Sequence, residues 1–282
     1  MALVSANSDI RQSQADIPVT INGKIGSLTT RLAVKRSEIH EAQRIRYQVF
    51  CEEMSARKTM LSRVTQRETD KFDQACDHLI VCEKAIEQQE KIIGTQRFMI
   101  GCASDEQAGF YSQSEFDLND LTSRHPGKVF MELGRSCILP DYRNKRTMEL
   151  MWHGTWAYAR QKSVDVMVGC ASFATTEVET LGPVFAFLSQ NALADDVWQT
   201  APVGRTVISL TENQSANVDL KKAFHQLPPL IKGYLRLGAK ICKSAVVDHD
   251  FGTTDIMIVL PVRDINPRYI SYYGEDANRH CA

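Results

Sequence analysis

Between Val129 and Thr147 an apolar run ends in Ile138-Leu139-Pro140 and gives way to a loop, Asp141-Tyr142-Arg143-Asn144-Lys145-Arg146, that opens a helical pattern. A strand, a basic loop and a helix N-terminus in that order can hold a phosphate. The first-turn amides lack intrahelical partners, and the helix dipole favours an anion there. Arg143, Lys145 and Arg146 place three cations in this loop. A solvated basic turn before an ordinary helix has the same pattern. Glu132 and Arg135 lie on the apolar run itself. Three residues apart on a regular strand, they face opposite sides unless a bulge intervenes. Glu68, Asp70 and Asp73 form an acidic cluster. Cys170, in GlyCysAlaSerPhe, has no histidine near it in sequence, and a buried small thiol is the ordinary reading of such a cysteine. Cys76-Asp77-His78 is the nearest approach to a zinc site, and two ligands without a second pair are a weak one. Residues 219–243 carry six Lys or Arg against the single acid Asp219. Lys232 and Arg236 sit at i and i+4, a mildly repulsive spacing that an anionic partner would relieve; a solvated face is the alternative.

The elements that would position these groups follow from periodicity. Ile39, Ala42, Ile45, Val49 and Phe50 recur at helical spacing, which predicts a helix from an N-cap at Ser37 to about Met54. His78–Cys82 and Lys91–Ile100 read as strands joined in an antiparallel hairpin. Residues 128–139 form a third strand stopped by Pro140, and 145–161 a helix with Met148, Trp152, Trp156 and Ala159 on one stripe. Val164–Phe173 reads as a strand and 177–190 as a helix, while 191–226 has no clear pattern. Pro228-Pro229 opens a helix that Gly238 closes. Ser244–Val247 and Asp255–Val262 read as a final strand pair. That order describes a mixed α/β domain and not a regular βαβ repeat.

The chain has 282 residues, 43% of them hydrophobic, enough for a sizeable core. Its formal net charge of −1 gives no global field for nucleic acid. No apolar segment reaches the roughly 20 residues of a membrane span, and the first residues lack a secretory signal core. A cytoplasmic location is expected, with reduced thiols at the eight cysteines. A peripheral membrane contact stays open. Residues 1–28 read as a flexible arm and 275–282 as a tail.

The strand ending in hydrophobic-x-Pro, followed by x-x-Arg-x-x and a helix, resembles the acyl-donor motif of GNAT acyltransferases. Asn144 and Arg146 stand where that loop usually has small glycines. Arg46-x-x-x-Phe50, Glu68-x-Asp70-x-x-Asp73, Arg97 and Glu132-x-x-Arg135 are similar to the signature positions of acyl-homoserine-lactone synthases. RIRYQVFCEEM (44–54), DKFDQACDHLIV (70–81), FMELGRSCILPDYR (130–143), GCASF (169–173), LPPLIKGYLRLGA (227–239) and TTDIMIVLP (253–261) most resemble the ornithine-acyl-carrier-protein N-acyltransferases of lyso-ornithine lipid synthesis. Two stretches depart from that pattern, Ala174–Glu177 and Cys242-Lys243.

The resemblance implies a GNAT fold over 29–274, with a central mixed, mostly antiparallel sheet flanked by helices and an insertion (about 174–226) after the fifth strand. It implies transfer of a (3-hydroxy)fatty acyl group from acyl carrier protein to the α-amine of ornithine. Glycine, lysine or another amino acid, or a lactone-forming reaction, are the alternatives; a non-catalytic carrier-protein or lipid-binding module is the alternative outside catalysis. No cofactor or metal is implied beyond the donor's phosphopantetheine. By the same resemblance Glu132 is the base, directly or through water, with Arg135 beside it. Tyr234 protonates the leaving sulfur, or else is a core tyrosine sharing a face with Leu230 and Leu237. Backbone amides near Cys137 and Ile138 stabilise the oxyanion. Phe50 lines the acceptor site, and Arg46 and Arg97 clamp its carboxylate. Glu68, Asp70 and Asp73 neutralise its ammonium, or else hold Arg46 and Arg135 by ion pairs. Arg143, Lys145 and Arg146 meet the donor's phosphate, and Lys232 and Arg236 the carrier protein.

Overall fold

A computed structural model of the chain describes residues 23–84, 90–101, 109–203, 206–212 and 219–273. Nine strands form one sheet: β1 (Gly23–Ile25), β2 (Leu28–Leu32), β3 (Asp77–Lys84), β4 (Glu90–Gly101), β5 (Phe130–Ile138), β6 (Val166–Phe173), β7 (Val207–Ser209), β8 (Lys240–Asp248) and β9 (Thr253–Pro261). Their spatial order is β1-β2-β3-β4-β5-β6-β9-β8-β7. Every neighbouring pair is antiparallel except β5 and β6. The helices, in chain order, are α1 (Arg36–Arg46), α2 (Met60–Thr65), α3 (Leu118–Ser123), α4 (Lys145–Gln161), α5 (Gly182–Asn191), α6 (Leu220–Gln226), α7 (Pro229–Leu237) and α8 (Pro267–Tyr273). Among the described residues no helix is long and apolar enough to cross a membrane.

Alternation along the central strands sends side chains to two separate cores. Met131, Leu133, Met167, Ala171, Ile258 and Leu260 join α4, α5 and α7 on one face. Phe130, Val166, Val168, Met257 and Val259 join Met99, Phe116, Leu121 and Trp198 on the other. Parallel β5 and β6 need a crossover, and the 17-residue α4 supplies it, with its buried stripe against the β1–β3 end of the sheet.

The periodicities placed β3, β4, β5, α4 and α7 well, and Gly238 closes α7 in the left-handed conformation (φ +104°). Five details differ. Ser37 does not cap α1; Glu38 turns back so that its carboxylate accepts from the amides of Val34 and Lys35 (2.8 and 2.9 Å). The same helix passes into a π-helical turn, Tyr47–Glu53. Gly23–Ile25 and Leu28 pair into the sheet rather than belonging to an arm; those two short strands also make Val166–Phe173 the sixth strand, so the insertion follows the sixth and not the fifth. Strand β8 begins at Lys240, its alternation hidden by an irregularity between Ile241 and Ala245 that spans Cys242-Lys243. The expected helix over 177–190 starts at Gly182, after a single 3-10 turn. Residues 1–22 of the arm, and the tail 275–282 with Cys281, lie outside the described residues, as does Cys102.

Candidate active site at the parting of two strands

Strands β5 and β6 pair only over Phe130–Glu132 and Val166–Val168. Beyond that, β5 is held by β4 alone and β6 by β9 alone. Just past that ladder the backbones still touch at Gly169, where an added methyl would stand 2.5 Å from the Leu133 carbonyl oxygen, and beyond it the two strands are no longer paired. Tyr234 reaches this apex from α7. It lines a small cavity there with Leu133, Met167, Val168, Gly169, Ile258 and Leu260. Burial raises the Tyr234 pKa, against a smaller opposite pull from the Ser136 hydroxyl. The phenol therefore stays protonated at neutral pH, as a proton donor to a leaving thiolate must. Leu139 donates its amide to Ile93 on β4 (2.9 Å). By strand alternation the amides of Leu139 and Cys137 face β4, and that of Ile138 faces the gap. Of the two amides expected near an oxyanion, the alternation favours Ile138. The Cys137 side chain packs with Ile45 and Val49.

The sequence left open whether Glu132 and Arg135 pair. They do not. Register slips between Arg97↔Gly134 and Thr95↔Cys137, so Arg135 sits in a bulge at φ +50°. The bulge turns Arg135 to the face that carries Arg97. There Arg135 Nε donates to Glu68 Oε1 (3.1 Å) and its Nη2 stands 3.5 Å from Asp70 Oδ2. The guanidinium lies 4.2 Å from the Tyr111 ring centroid and 4.7 Å from that of Phe251. Phe251 in turn meets Phe50 edge-on.

Arg46 and Arg97, expected to clamp a carboxylate, are spoken for by the protein. Arg46, fully buried, donates from Nη1 and Nη2 to the two oxygens of Asp73 (2.7 and 2.9 Å) and from Nη2 to the Glu68 carbonyl (2.6 Å), while its Nε stands 2.7 Å from Glu68 Oε2. Arg97 Nη1 donates to Asp70 Oδ1 (2.6 Å) and Asp73 Oδ1 (2.9 Å). Burial by itself would raise the Asp73 pKa, but the Arg46 and Arg97 guanidiniums hold it far below the usual carboxylate range. Three arginines thus match three carboxylates. Of the two readings of Glu68, Asp70 and Asp73, ion pairing with the arginines is the one the geometry carries, since little negative charge is left for a ligand.

Glu132 lies on the same face as Arg97 and Cys170, between Met99 and Val168 in the row across β4, β5 and β6. Its two oxygens accept from the backbone amides of Tyr111 (2.7 Å) and Ser112 (2.8 Å). One lone pair on each oxygen remains for a further proton donor. Burial raises its pKa toward the working range of a base, against the opposing pull of Ser112 and Tyr111. Cys170 Sγ is 3.4 Å from Glu115 Oε2. Burial and the charges of Glu115 and Asp255 push this thiol well up, so it is no activated nucleophile.

The donor-side cations are scattered. Arg143 is bidentate to the Glu53 carboxylate (2.6 Å twice) and donates Nε to the Ile138 carbonyl (2.9 Å). The expected helix N-terminus is capped from within, because Asn144 Oδ1 accepts from the amides of Arg146 (3.0 Å) and Thr147 (3.2 Å). Lys145 and Arg146 line an open groove beside Ile25, Ser27, Glu83 and Tyr142. Lys232 Nζ donates to the His225 carbonyl (2.7 Å), and Arg236 is exposed.

Sequence reasoning missed Tyr111, Ser136, Phe251 and a second acidic group, Glu115, Asp248 and Asp255. Ser136 was flanked by flagged residues; the others come from separate segments that only the folded sheet brings together.

A sheet parted between two parallel strands, with a buried carboxylate on one side and a tyrosine at the apex, defines an acyltransferase of the GNAT class. Residues 45–153 match the acetyltransferase (GNAT) domain family. The chain is 48% identical over 259 residues to an L-ornithine N(alpha)-acyltransferase of Agrobacterium fabrum, covering 91% of this chain and 88% of that one. It is 44% identical over 277 residues to the protein of the same name from Rhizobium meliloti, covering 98% and 94%. The structure of FeeM, an N-acyl amino acid synthase from uncultured soil microbes, shares the fold, with a TM-score of 0.50 over 84% of this chain and 93% of that one at 11% identity. The chain belongs to the family of L-ornithine Nα-acyltransferases.

Proposed function

We propose that this chain transfers a (3-hydroxy)fatty acyl group from the phosphopantetheine arm of acyl carrier protein to the α-amine of L-ornithine, giving lyso-ornithine lipid. The observation that carries the reading is the gap between β5 and β6, with Glu132 on the acceptor side and Tyr234 at its apex. The arm enters the gap and presents its thioester beside the Ile138 amide. The amine nitrogen attacks the carbonyl carbon, and Glu132, directly or through one water, takes the amine's proton. The developing oxyanion is stabilised by backbone N–H. As the C–S bond breaks, Tyr234 gives its proton to the sulfur, so an amide and a thiol are the products. The reaction needs no cofactor beyond the donor's own arm. Exposed Lys221, Lys222, Arg236, Lys240 and Lys243, with Lys232, support docking of an acidic carrier protein. Purified chain mixed with 3-hydroxyacyl carrier protein and single amino acids is expected to yield an amide of the mass of acyl-ornithine. No amide with ornithine sinks the reading, and a product of lactone mass or with another amino acid redirects it.

A peripheral contact with the cytoplasmic face of the inner membrane is part of this reading. Met60, Leu61 and Val64 on α2 are 78%, 61% and 80% exposed. Arg57, Lys58, Arg63 and Arg67 flank them in a sequence with no acid from Ser55 to Arg67, Arg57 being paired with Asp250 (3.0 Å). An apolar tip flanked by cations suits an anionic lipid surface. The chain is expected to float with phosphatidylglycerol vesicles at low salt, and the double variant Leu61→Glu, Val64→Glu to stay behind; equal flotation of both excludes α2 as the contact.

A further inference from the structure

A second acidic group stands on the same face as Glu132, and unlike the first it has no arginine. Glu115, Asp248 and Asp255 each place a carboxylate oxygen within 4.8 Å of the other two. Among the described residues none of the three is in an ion pair, whereas Glu68, Asp70 and Asp73 are matched one for one by arginine. Glu115 and Asp255 are 8% and 4% exposed; Asp248 is half-buried and Ser172, opposite Asp255 in the sheet, is exposed. The group is therefore a recess with one open side. Asp255 supplies the independent sign of a ligand: its Oδ1 is buried and accepts no hydrogen bond, although the Ser172 and Thr253 hydroxyls lie beside the carboxylate. A buried carboxylate oxygen without a donor costs several kcal/mol unless something cationic or protonated meets it. Without a cation the group keeps protons instead. Burial, then the Asp255 charge, raises Glu115 to about 8, and burial raises Asp255.

We propose that Glu115, Asp248 and Asp255 form the pocket for the side-chain ammonium of a diamino-acid acceptor, an inference that rests on the acceptor assigned above. An ammonium donates along tetrahedral directions to acceptors about 2.8 Å away, which then lie about 4.6 Å apart, inside the 4.8 Å within which these three oxygens fall. A divalent cation gathers six or more oxygens at shorter range, and this recess offers three carboxylates beside a thiol and two hydroxyls. The placement also fits the reaction. Glu132 and Asp255 share a face, two strands apart and offset by four residues along β6 (Glu132↔Val168, Asp255↔Ser172), roughly 16 Å between backbones at ordinary strand spacing, a span that the two side chains and an extended acceptor close between them. An acceptor whose side-chain ammonium is held at Asp255 extends its α-amine back toward Glu132 and the gap. The pocket thereby takes over the role that the sequence offered to Glu68, Asp70 and Asp73.

The test compares ornithine with norvaline, its isostere without the ammonium, under one acyl donor. The wild-type chain is expected to prefer ornithine in kcat/KM. Asp255→Asn and, separately, Glu115→Gln are expected to cut the ornithine-to-norvaline ratio about 10- to 100-fold, the loss of one charge-assisted contact, mostly through KM for ornithine. Because the readout is a ratio within each variant, partial loss of fold does not imitate it. If both variants turn over and the ratio stays within threefold of wild type, the pocket is not where the ammonium binds. The same conclusion follows if Mg2+ or Ca2+ binds the wild type in calorimetry, is lost in Asp255→Asn, and the ratio does not move. A wild-type chain that acylates norvaline as well as ornithine overturns the inference while leaving N-acylation intact. One that acylates neither overturns the acceptor assignment, and the inference with it.

Discussion

Asp73→Asn is expected to lower the unfolding free energy by about 3–5 kcal/mol, measured by urea titration at pH 7. Asp73 is the hub of the buried ion network. It accepts from Arg46 twice, from Arg97 (2.9 Å) and from the Gln43 amide (3.0 Å). Asparagine keeps the volume and removes the charge, leaving Arg46, with no exposed surface, short of a counterion. A buried pair broken on one side costs more than the pair is worth, because the remaining charge stays desolvated. The same network sets an acid limit. The Asp73 pKa is depressed in the fold from an ordinary 3.8, so its contribution is present above about pH 4 and lost as pH falls through the folded value. Wild type is therefore expected to lose stability below pH 4 more steeply than the variant. A loss under 1 kcal/mol at pH 7 would show that the network is not what holds α1 against β4 and β5.

The sequence disclosed the elements far better than the partners. α4 and α7 carry strong stripes and clear stops, so their spacing sufficed. The strands β3, β4 and β5 carry short apolar runs (Leu79–Cys82, Ile92–Ile93 with Phe98–Ile100, and Phe130–Met131), legible because both their faces are largely buried. Charged residues at the right spacing were also legible, but what each one faces was not. Arg46 and Arg97 look like ligand clamps in a linear chain and become internal counterions once β3, β4 and the Asp70–Gln74 turn converge. Arg143 looks like a phosphate contact until Glu53, ninety residues away, closes on it. The left-handed Arg135 is invisible to alternation, since a bulge changes face without changing composition. Glu115, Asp248 and Asp255 come from the residue after a 3-10 turn, the end of β8 and the start of β9, and only the sheet brings them together.

Glu132→Gln is expected to lower kcat by about 10²- to 10⁴-fold with ornithine and an acyl carrier protein donor, with a smaller change in KM. An amine protonated at neutral pH must lose a proton to attack, and in the proposed reaction Glu132 is the carboxylate that takes it. Burial outweighs the Tyr111 and Ser112 donors and leaves its pKa raised. The acidic limb of the kcat/KM profile should therefore titrate above the ordinary carboxylate range in the wild type and be absent from the variant. Glu132 also anchors the Tyr111–Ser114 turn, so the variant tests two roles at once. Glutamine keeps one oxygen for one of the two amides and turns an N–H toward the other, at a cost to stability of about 1–3 kcal/mol. If anchoring were its whole role, stability would fall and the acidic limb would persist at reduced amplitude. If it is the base, the limb disappears from a protein that still unfolds cooperatively. A folded variant that keeps kcat within tenfold of wild type removes Glu132 from the chemistry and leaves the proton to bulk water.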